Sequence, residues 1–148
     1  MKVRFIYQGS VWLPDQEKVA INLCLRASKI IDLPGEIEIE FVKLPPSVYG
    51  ETLLYGRFKN RFRINDCLSP KEIIKPIVHE LIHINQVHTG RLKAMRDGTY
   101  IWEGRQYKNT DPNTLTPEQY QNLPWEQDVS NNVDKVMLDI INSTNRIT

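Results

Sequence analysis

The chain has 148 residues, of which 41% are hydrophobic and 25% charged, and its formal net charge is +1. This length predicts one domain, 1–148, with one core, and the composition is too apolar for a disordered chain. The small net charge excludes a global electrostatic field that favours nucleic acid or an anionic membrane.

The cysteines and the N-terminal residues bear on location. Cys24 and Cys67 form neither a C-x-x-C pair nor a disulfide framework, which favours a reducing compartment. The first residues have only short apolar runs, broken by Arg4, Gln8 and Asp15, unlike a signal peptide. No apolar run reaches the roughly 18 residues of a membrane span. We therefore expect a cytoplasmic protein without a membrane partner.

The first half of the chain predicts a helix followed by strands. The helix begins at Pro14 and reaches about Asp32, before the breakers Pro34 and Gly35. Residues 36–42, EIEIEFV, alternate glutamate with apolar side chains and predict a strand with one buried face.

The segment 53–66, LLYGRFKNRFRIND, also alternates and predicts one long strand or a hairpin that turns at Lys59 and Asn60. One face is apolar and the other is basic. The simplest interpretation of the basic face is a solvated strand surface or a charged edge that discourages pairing. The basic residues are Arg57, Lys59, Arg61 and Arg63.

A second long helix follows. Ser69, Pro70 and Glu72 predict its start through a capping box, and Gly90 predicts its end. Pro76 lies inside the apolar pattern and should bend the helix or delay its true start.

The last third predicts a hairpin and two helices. GTYIWEGRQYK turns at Glu103 and Gly104, and Thr116 begins a short helical turn. A final helix runs from Pro124 to about Ile141. The order of elements predicts one α+β domain.

The motif HELIH, residues 79–83, is the strongest chemical signal in the sequence. His79 and His83 lie on one face of a helix, so both imidazoles can reach one metal ion at about 2.0 to 2.1 Å. Glu80 lies beside such an ion, where a base accepts a proton from water. The motif arises by chance in fewer than about 1% of chains of this length. The alternative is a pair of exposed histidines beside a glutamate.

A catalytic site of this type needs a third protein ligand. Gln86 and Thr89 stand where the elongated zincin motif has glycine and a third histidine, and His88 points to another side of the helix. The third ligand is therefore expected farther along the chain.

Glu126 is the predicted third ligand. Glu103 lies in the hairpin turn and Glu118 in a polar helical turn, whereas apolar residues on one face follow Glu126. A carboxylate that points toward a core costs several kcal/mol unless it is paired, and a divalent metal is such a partner. The alternative is a glutamate that complements the helix dipole.

HELIHINQ, followed by GRL, GTYIWEG and LPWEQDV, resembles small phage-encoded metallopeptidase-like proteins of the gluzincin or minigluzincin type, over roughly residues 69–133. The resemblance implies a zincin-like α+β fold. In that fold a small, twisted, mostly antiparallel sheet accompanies an N-terminal helix, a motif helix and a C-terminal helix that carries the third ligand. It implies Zn²⁺ on His79, His83 and Glu126, with Glu80 as general base.

The chain departs from this family at Val129, where a small residue is usual, and at Ser130, where larger gluzincins have aspartate. In zincin-like folds an edge strand lies antiparallel above the motif helix and pairs with an extended substrate. The segment 57–64 is predicted to be that strand. Its four basic residues, Arg57, Lys59, Arg61 and Arg63, would then bind acidic parts of a substrate.

The expected function is hydrolysis of peptide bonds in a peptide or protein substrate by zinc-activated water. Tyr100, Tyr107 and Tyr120 are all candidate donors to the oxyanion. The alternative function is a metal-stabilised structural or interaction protein, for example a virion component that binds another phage protein. Intact Glu80 favours the enzyme. Nucleic-acid binding through the basic strand ranks last. A phage-encoded protein would act in the host cytoplasm or the virion.

Overall fold

The computed structural model describes residues 1–9, 11–52, 60–108, 110 and 114–145. No helix in this part of the chain is long and apolar enough to cross a membrane. The elements in chain order are β1 (Lys2–Phe5), α1 (Pro14–Ala27), β2 (Glu36–Val42), β3 (Gly50–Thr52), β4 (Arg61–Asn65), α2 (Ile74–His88), β5 (Leu92–Ala94), β6 (Tyr100–Trp102), β7 (Arg105–Tyr107), α3 (Pro117–Gln121) and α4 (Pro124–Asn145).

The larger sheet has the strand order β1-β2-β4-β3. Strands β1, β2 and β4 are parallel, and only β3 runs antiparallel to its neighbour β4. The α+β class is confirmed, but the prediction of a mostly antiparallel sheet is wrong. Helix α1 is a crossover that returns the chain to the starting end of the sheet, so β2 repeats the direction of β1. Strand β1 was not predicted; it has only four residues, KVRF, in which polar and apolar side chains alternate.

Helix α2 is the central element of the core. It packs against α1 and α4 and also contacts β3 and β4. Buried residues, both apolar and polar, cover most of its circumference, as expected for a helix enclosed by neighbours. The sheet contributes the apolar faces of β2 and β4, chiefly Ile37, Ile39, Phe62 and Ile64. The motif is therefore built into the helix with the most buried surroundings among the described residues.

The other sheet face carries ion pairs between neighbouring strands. Arg61 Nη2 lies 3.3 Å from Glu38 Oε1, and Arg63 Nε lies 3.0 Å from Glu40 Oε1. Arg63 also approaches Glu51 on β3, at 3.6 Å. The alternation of acid on β2 and base on β4 thus aligns opposite charges across the parallel pair.

The edge strand was predicted at residues 57–64, and this is wrong for the described part of that segment. Residues 61–64 belong to β4, which lies between β2 and β3. Arg57 and Lys59 lie outside the described residues. The end of the sheet on this side, within the described residues, is β3.

The predicted capping box forms before α2. The Ser69 N–H donates to Glu72 Oε1 at 3.0 Å, and the Glu72 N–H donates to Ser69 Oγ at 3.2 Å. The regular helix begins only at Ile74, so the delay predicted from Pro76 is confirmed. Pro76 then lies in the first turn, where a missing N–H breaks no helical bond. Gly90, with φ of 80°, follows the end of the helix as predicted.

The hairpin between β6 and β7 turns at Glu103 and Gly104 as predicted, both with positive φ. Strand β5 adds an unpredicted third strand to this small sheet. Helix α4 begins at Pro124 as predicted and extends to Asn145, beyond the expected end. Helix α1 is shorter than expected because it ends at Ala27, well before Pro34.

We predict that Arg63→Met lowers the free energy of unfolding by about 1 to 3 kcal/mol, because it leaves the buried Glu40 carboxylate without this partner. Arg4→Met is the matched control on the same sheet. Its pair with Glu36 is exposed, with side-chain exposures of 54% and 38%, so its loss should cost less than about 1 kcal/mol. Urea denaturation measures both. Equal losses would show that burial does not distinguish the two pairs.

Candidate metal centre

Helix α2 presents the two histidines of the motif from successive turns of one face. The ring centroids of His79 and His83 are 5.1 Å apart. The side chain of His79 is 38% exposed, whereas that of His83 is 5% exposed. His79 therefore faces the opening of the site and His83 lies on its floor.

Helix α4 brings the predicted third residue to the same place. Glu126 Oε1 lies 3.1 Å from His83 Nε2, and Glu126 Oε2 lies 3.7 Å from His79 Nε2. One ligand atom from each of these three residues lies within 4.8 Å of the others. The sequence prediction that His79, His83 and Glu126 meet is confirmed.

The residue before Glu126 anchors the start of α4. Trp125 is buried, stacks on Tyr100 with a centroid distance of 5.1 Å, and meets Tyr107 edge-on at 5.5 Å. The hairpin thus fixes the first turn of α4, because both tyrosines belong to it. Glu126 follows this anchor and is held with its side chain inward, only 2% exposed.

The donor set fits a divalent metal ion. Ligand atoms placed tetrahedrally about 2.0 to 2.1 Å from zinc lie about 3.3 Å apart, and the two distances at Glu126 bracket that value. Glu126 Oε1 is buried, and within the described residues it has no hydrogen bond of acceptable geometry. Two imidazoles and a carboxylate suit zinc and other divalent ions of the first transition row.

The buried groups of the cluster shift one another's pKa values. Burial lowers the pKa of His83, but the adjacent Glu126 carboxylate, with Glu80 nearby, outweighs burial and raises it to about 9. Burial raises the pKa of Glu126, but His83 and His79 outweigh burial and hold it below its usual value. Burial and the neighbouring His83 lower the pKa of His79 to about 4. Positive charge is therefore stabilised on the floor of the site.

Glu80 lies beside the three-residue cluster and is not part of it. Its side chain is buried, and Thr52 Oγ1 donates a hydrogen bond to Glu80 Oε2 at 3.2 Å. Burial raises the pKa of Glu80 to about 7. Strand β3 approaches closely here because Gly50 has no side chain. A Cβ at that position would lie 3.3 Å from Glu80 Cγ and 3.1 Å from the Arg63 carbonyl oxygen.

A cleft of about 1270 Å³ opens over the cluster, with His79, Glu80 and Glu126 in its lining. Tyr100 and Tyr120 also line it. The Tyr120 hydroxyl hydrogen-bonds to Glu126, and the pKa of Tyr120 is raised by burial and by that carboxylate. The hydroxyl of Tyr120, one of the three tyrosines considered from sequence, therefore contacts the cluster.

A polar network behind His83 was not predicted from the sequence. His83 Nδ1 lies 2.9 Å from Gln86 Oε1, and Gln86 Nε2 donates to both Asp128 Oδ2 and the Trp125 carbonyl, each at 2.9 Å. Arg91 Nη1 lies 3.3 Å from Asp128 Oδ2. The sequence did contain one signal for this network: Gln86 lies three positions after His83, a spacing at which two side chains of one helix can contact each other.

This network also shows what the two departures from the gluzincin pattern do here. Val129 is fully buried in the core, and Ser130 is exposed. The carboxylate behind the cluster comes from Asp128, which the sequence comparison with gluzincins did not single out.

The remaining predicted residues lie away from the cluster. Arg61 and Arg63 point along the charged sheet face toward Glu38 and Glu40, and neither lines the cleft. Their predicted substrate contact stays a prediction, as does that of Arg57 and Lys59, which are outside the described residues. His88 lies 3.4 Å from Asp32 and does not join the cluster.

Comparison with protein-family models, with curated proteins and with solved structures finds no match to this chain. The class that the fold and the site define is an α+β protein with a candidate His-His-Glu metal centre. The resemblance to gluzincins stays a prediction supported by the motif and by this cluster.

We predict that the purified protein binds about one zinc ion per chain and that His79→Ala, His83→Ala and Glu126→Ala each lower the zinc content sharply. Each change removes one donor from a set of three. His88→Ala is the matched control, because it removes the remaining histidine, which lies outside the cluster. Metal analysis after dialysis measures the content. Full zinc content in both motif variants would refute the ligand assignment.

Proposed function

We propose that the chain is a zinc-dependent peptidase that hydrolyses peptide bonds with Glu80 as general base. The observation that carries the proposal is the buried Glu80 carboxylate, which lies in a large cleft directly beside the His79, His83 and Glu126 cluster. A purely structural metal site gains nothing from a base at that position.

The roles of the residues follow from their positions. His79, His83 and Glu126 would hold zinc, which when bound supplies Lewis acidity that lowers the pKa of water to about 7 and polarises a carbonyl group. Glu80 accepts the proton from water. Its burial favours proton uptake, and Thr52 orients the carboxylate through its hydrogen bond to Oε2.

Strand β3 is the proposed platform for the substrate backbone. Gly50, Glu51 and Thr52 line the cleft, and β3 has one partner strand, β4, among the described residues. An extended peptide can add to such an edge through main-chain hydrogen bonds. Thr52, the last described residue of this strand, bonds to Glu80, so a bound backbone would pass the base. β3 takes the place that sequence reasoning gave to residues 57–64.

Tyr120 is the proposed donor to the oxyanion that forms when the peptide carbonyl is attacked. Its hydroxyl contacts Glu126 of the cluster, and burial together with that carboxylate keeps it protonated. A donor at fixed distance in a site shielded from water stabilises developing charge strongly. Tyr100 and Tyr107 pack their rings on Trp125.

The alternative proposal is a metal-stabilised structural or interaction protein, for instance a virion component that binds another phage protein. His83 and Glu126 are both almost fully buried, which favours retention of an ion under either proposal. Only turnover separates the two functions.

We predict that Glu80→Gln keeps the zinc content while hydrolysis of casein or of a mixed peptide library falls roughly 10²- to 10⁴-fold, because an amide cannot accept the proton. Glu118→Gln is the matched control on the exposed helix α3 and should leave the rate unchanged. A rate in Glu80→Gln equal to that of the parent would show that Glu80 is not the base. Absence of turnover in the zinc-loaded parent would favour the structural alternative.

We predict that Tyr120→Phe lowers kcat roughly 10²- to 10³-fold with little change in KM, because an oxyanion donor acts mainly in the transition state. Tyr107→Phe is the control, since its ring packing on Trp125 needs no hydroxyl. Steady-state kinetics on one cleaved peptide measures both. A purely higher KM in Tyr120→Phe would assign the residue to substrate binding instead.

A further inference from the structure

We infer that Gln86 is a positioning residue of the metal centre: it selects the ring nitrogen that His83 presents to the cluster and ties the ligand-bearing start of α4 to α2. The inference rests on the proposed metal centre and adds a determinant of its affinity and shape.

The hydrogen-bond partners fix which end of the Gln86 amide faces His83. The side chain is fully buried. Its nitrogen lies 2.9 Å from the Trp125 carbonyl oxygen and 2.9 Å from Asp128 Oδ2, and both of these atoms can only accept. The amide NH₂ must therefore point to α4. The amide oxygen therefore faces His83. In the flipped orientation the amide oxygen would lie against two other acceptors, the Trp125 carbonyl and Asp128 Oδ2.

This orientation determines the tautomer of His83. The Gln86 oxygen lies 2.9 Å from His83 Nδ1 and can only accept, so Nδ1 must carry a proton and donate it. In the neutral ring the lone pair is then on Nε2, the atom that lies 3.1 Å from Glu126 Oε1 within the cluster. Gln86 thus supplies the partner that orients a metal-binding histidine, a role in which carboxylates and backbone carbonyls are also common.

The same amide couples the two helices that carry the donors. The Trp125 carbonyl, which accepts from Gln86, belongs to the residue directly before Glu126. Gln86 therefore contacts His83 on one side and the backbone beside Glu126 on the other. A shift of α4 relative to α2 would break these bonds together with the cluster geometry.

Asp128 is itself held in place by other groups. Arg91 Nη1 lies 3.3 Å from its Oδ2, and Asn132 Nδ2 donates to its Oδ1 at 3.2 Å. Arg91 also lies over the ring of Trp102, 5.4 Å from the ring centroid, and its Nη2 donates a hydrogen bond to Asn85 Oδ1 at 2.8 Å. The acceptor that fixes Gln86 is therefore part of a connected network.

Glutamine is the side chain that satisfies all of these partners at once. It must accept one bond from His83 and donate two bonds to α4 from the same planar group. Methionine has similar length and no comparable donor, and glutamate would place a carboxylate against Asp128 and the Trp125 carbonyl. Gln86→Met therefore removes the positioning bonds while keeping most of the volume.

The test compares Gln86→Met with Gln127→Met in the full chain. Gln127 is an exposed residue of α4 that bonds to the Gln121 carbonyl, so it gives the same chemical change without contact to His83. Zinc affinity is measured by competition with a chelating indicator, and thermal unfolding without metal checks the fold. We expect a roughly 10- to 100-fold loss of zinc affinity in Gln86→Met. Gln127→Met should bind like the parent.

A second measurement uses the parent protein and does not depend on a variant that folds. Proton–nitrogen correlation spectra of the histidine rings in the zinc-loaded protein should show His83 bound through Nε2, with a slowly exchanging proton on Nδ1. Zinc on Nδ1, or parent-like affinity in a folded Gln86→Met protein, overturns the inference. A parent that binds zinc with this tautomer but cleaves no peptide refutes the peptidase alone. A parent that binds no zinc refutes both.

Discussion

The structure depends on one contact inside the core, between Glu126 of α4 and His83 of α2. Both side chains are almost fully buried, so each would carry a large desolvation cost without the other. Apolar residues of α4, including Val129 and Val133, lie on the buried face that follows Glu126. Hydrophobic packing of α2 and α4 therefore places the Glu126 carboxylate against the His83 imidazole, so the packing of the core determines the geometry of the cluster.

The features that could be predicted from the sequence are those set by local rules. The spacing of His79 and His83 determines that both lie on one helix face, and the capping box at Ser69 marks where the chain turns into that helix. Strand β2 has the predicted bounds because alternation over seven residues is a clear signal. Glu126 was predicted through the apolar periodicity that follows it, although its partners lie in a distant helix.

The features that were missed depend on pairs far apart in the chain. The direction of the larger sheet follows from α1 acting as a crossover, and nothing within β2 or β4 encodes it. The ion pairs of Arg61 and Arg63 with Glu38 and Glu40 of the next strand were not predicted. The complementary alternation of the two segments was visible in the sequence and, read as a pair, indicates neighbouring strands.

The donors of the cluster lie at the two ends of a long excursion of the chain, from residue 83 to residue 126. This excursion contains the small sheet and α3, and α3 has no buried residue. An ion bound by residues at both ends would close this loop as a crosslink, as a disulfide does. It would also bind the native chain in preference to the unfolded one and so stabilise the fold. The small sheet and α3, which form this wall of the cleft and bury few residues, would then be stabilised largely by the bound ion. The same metal ion would then serve both catalysis and the local stability of the cleft wall.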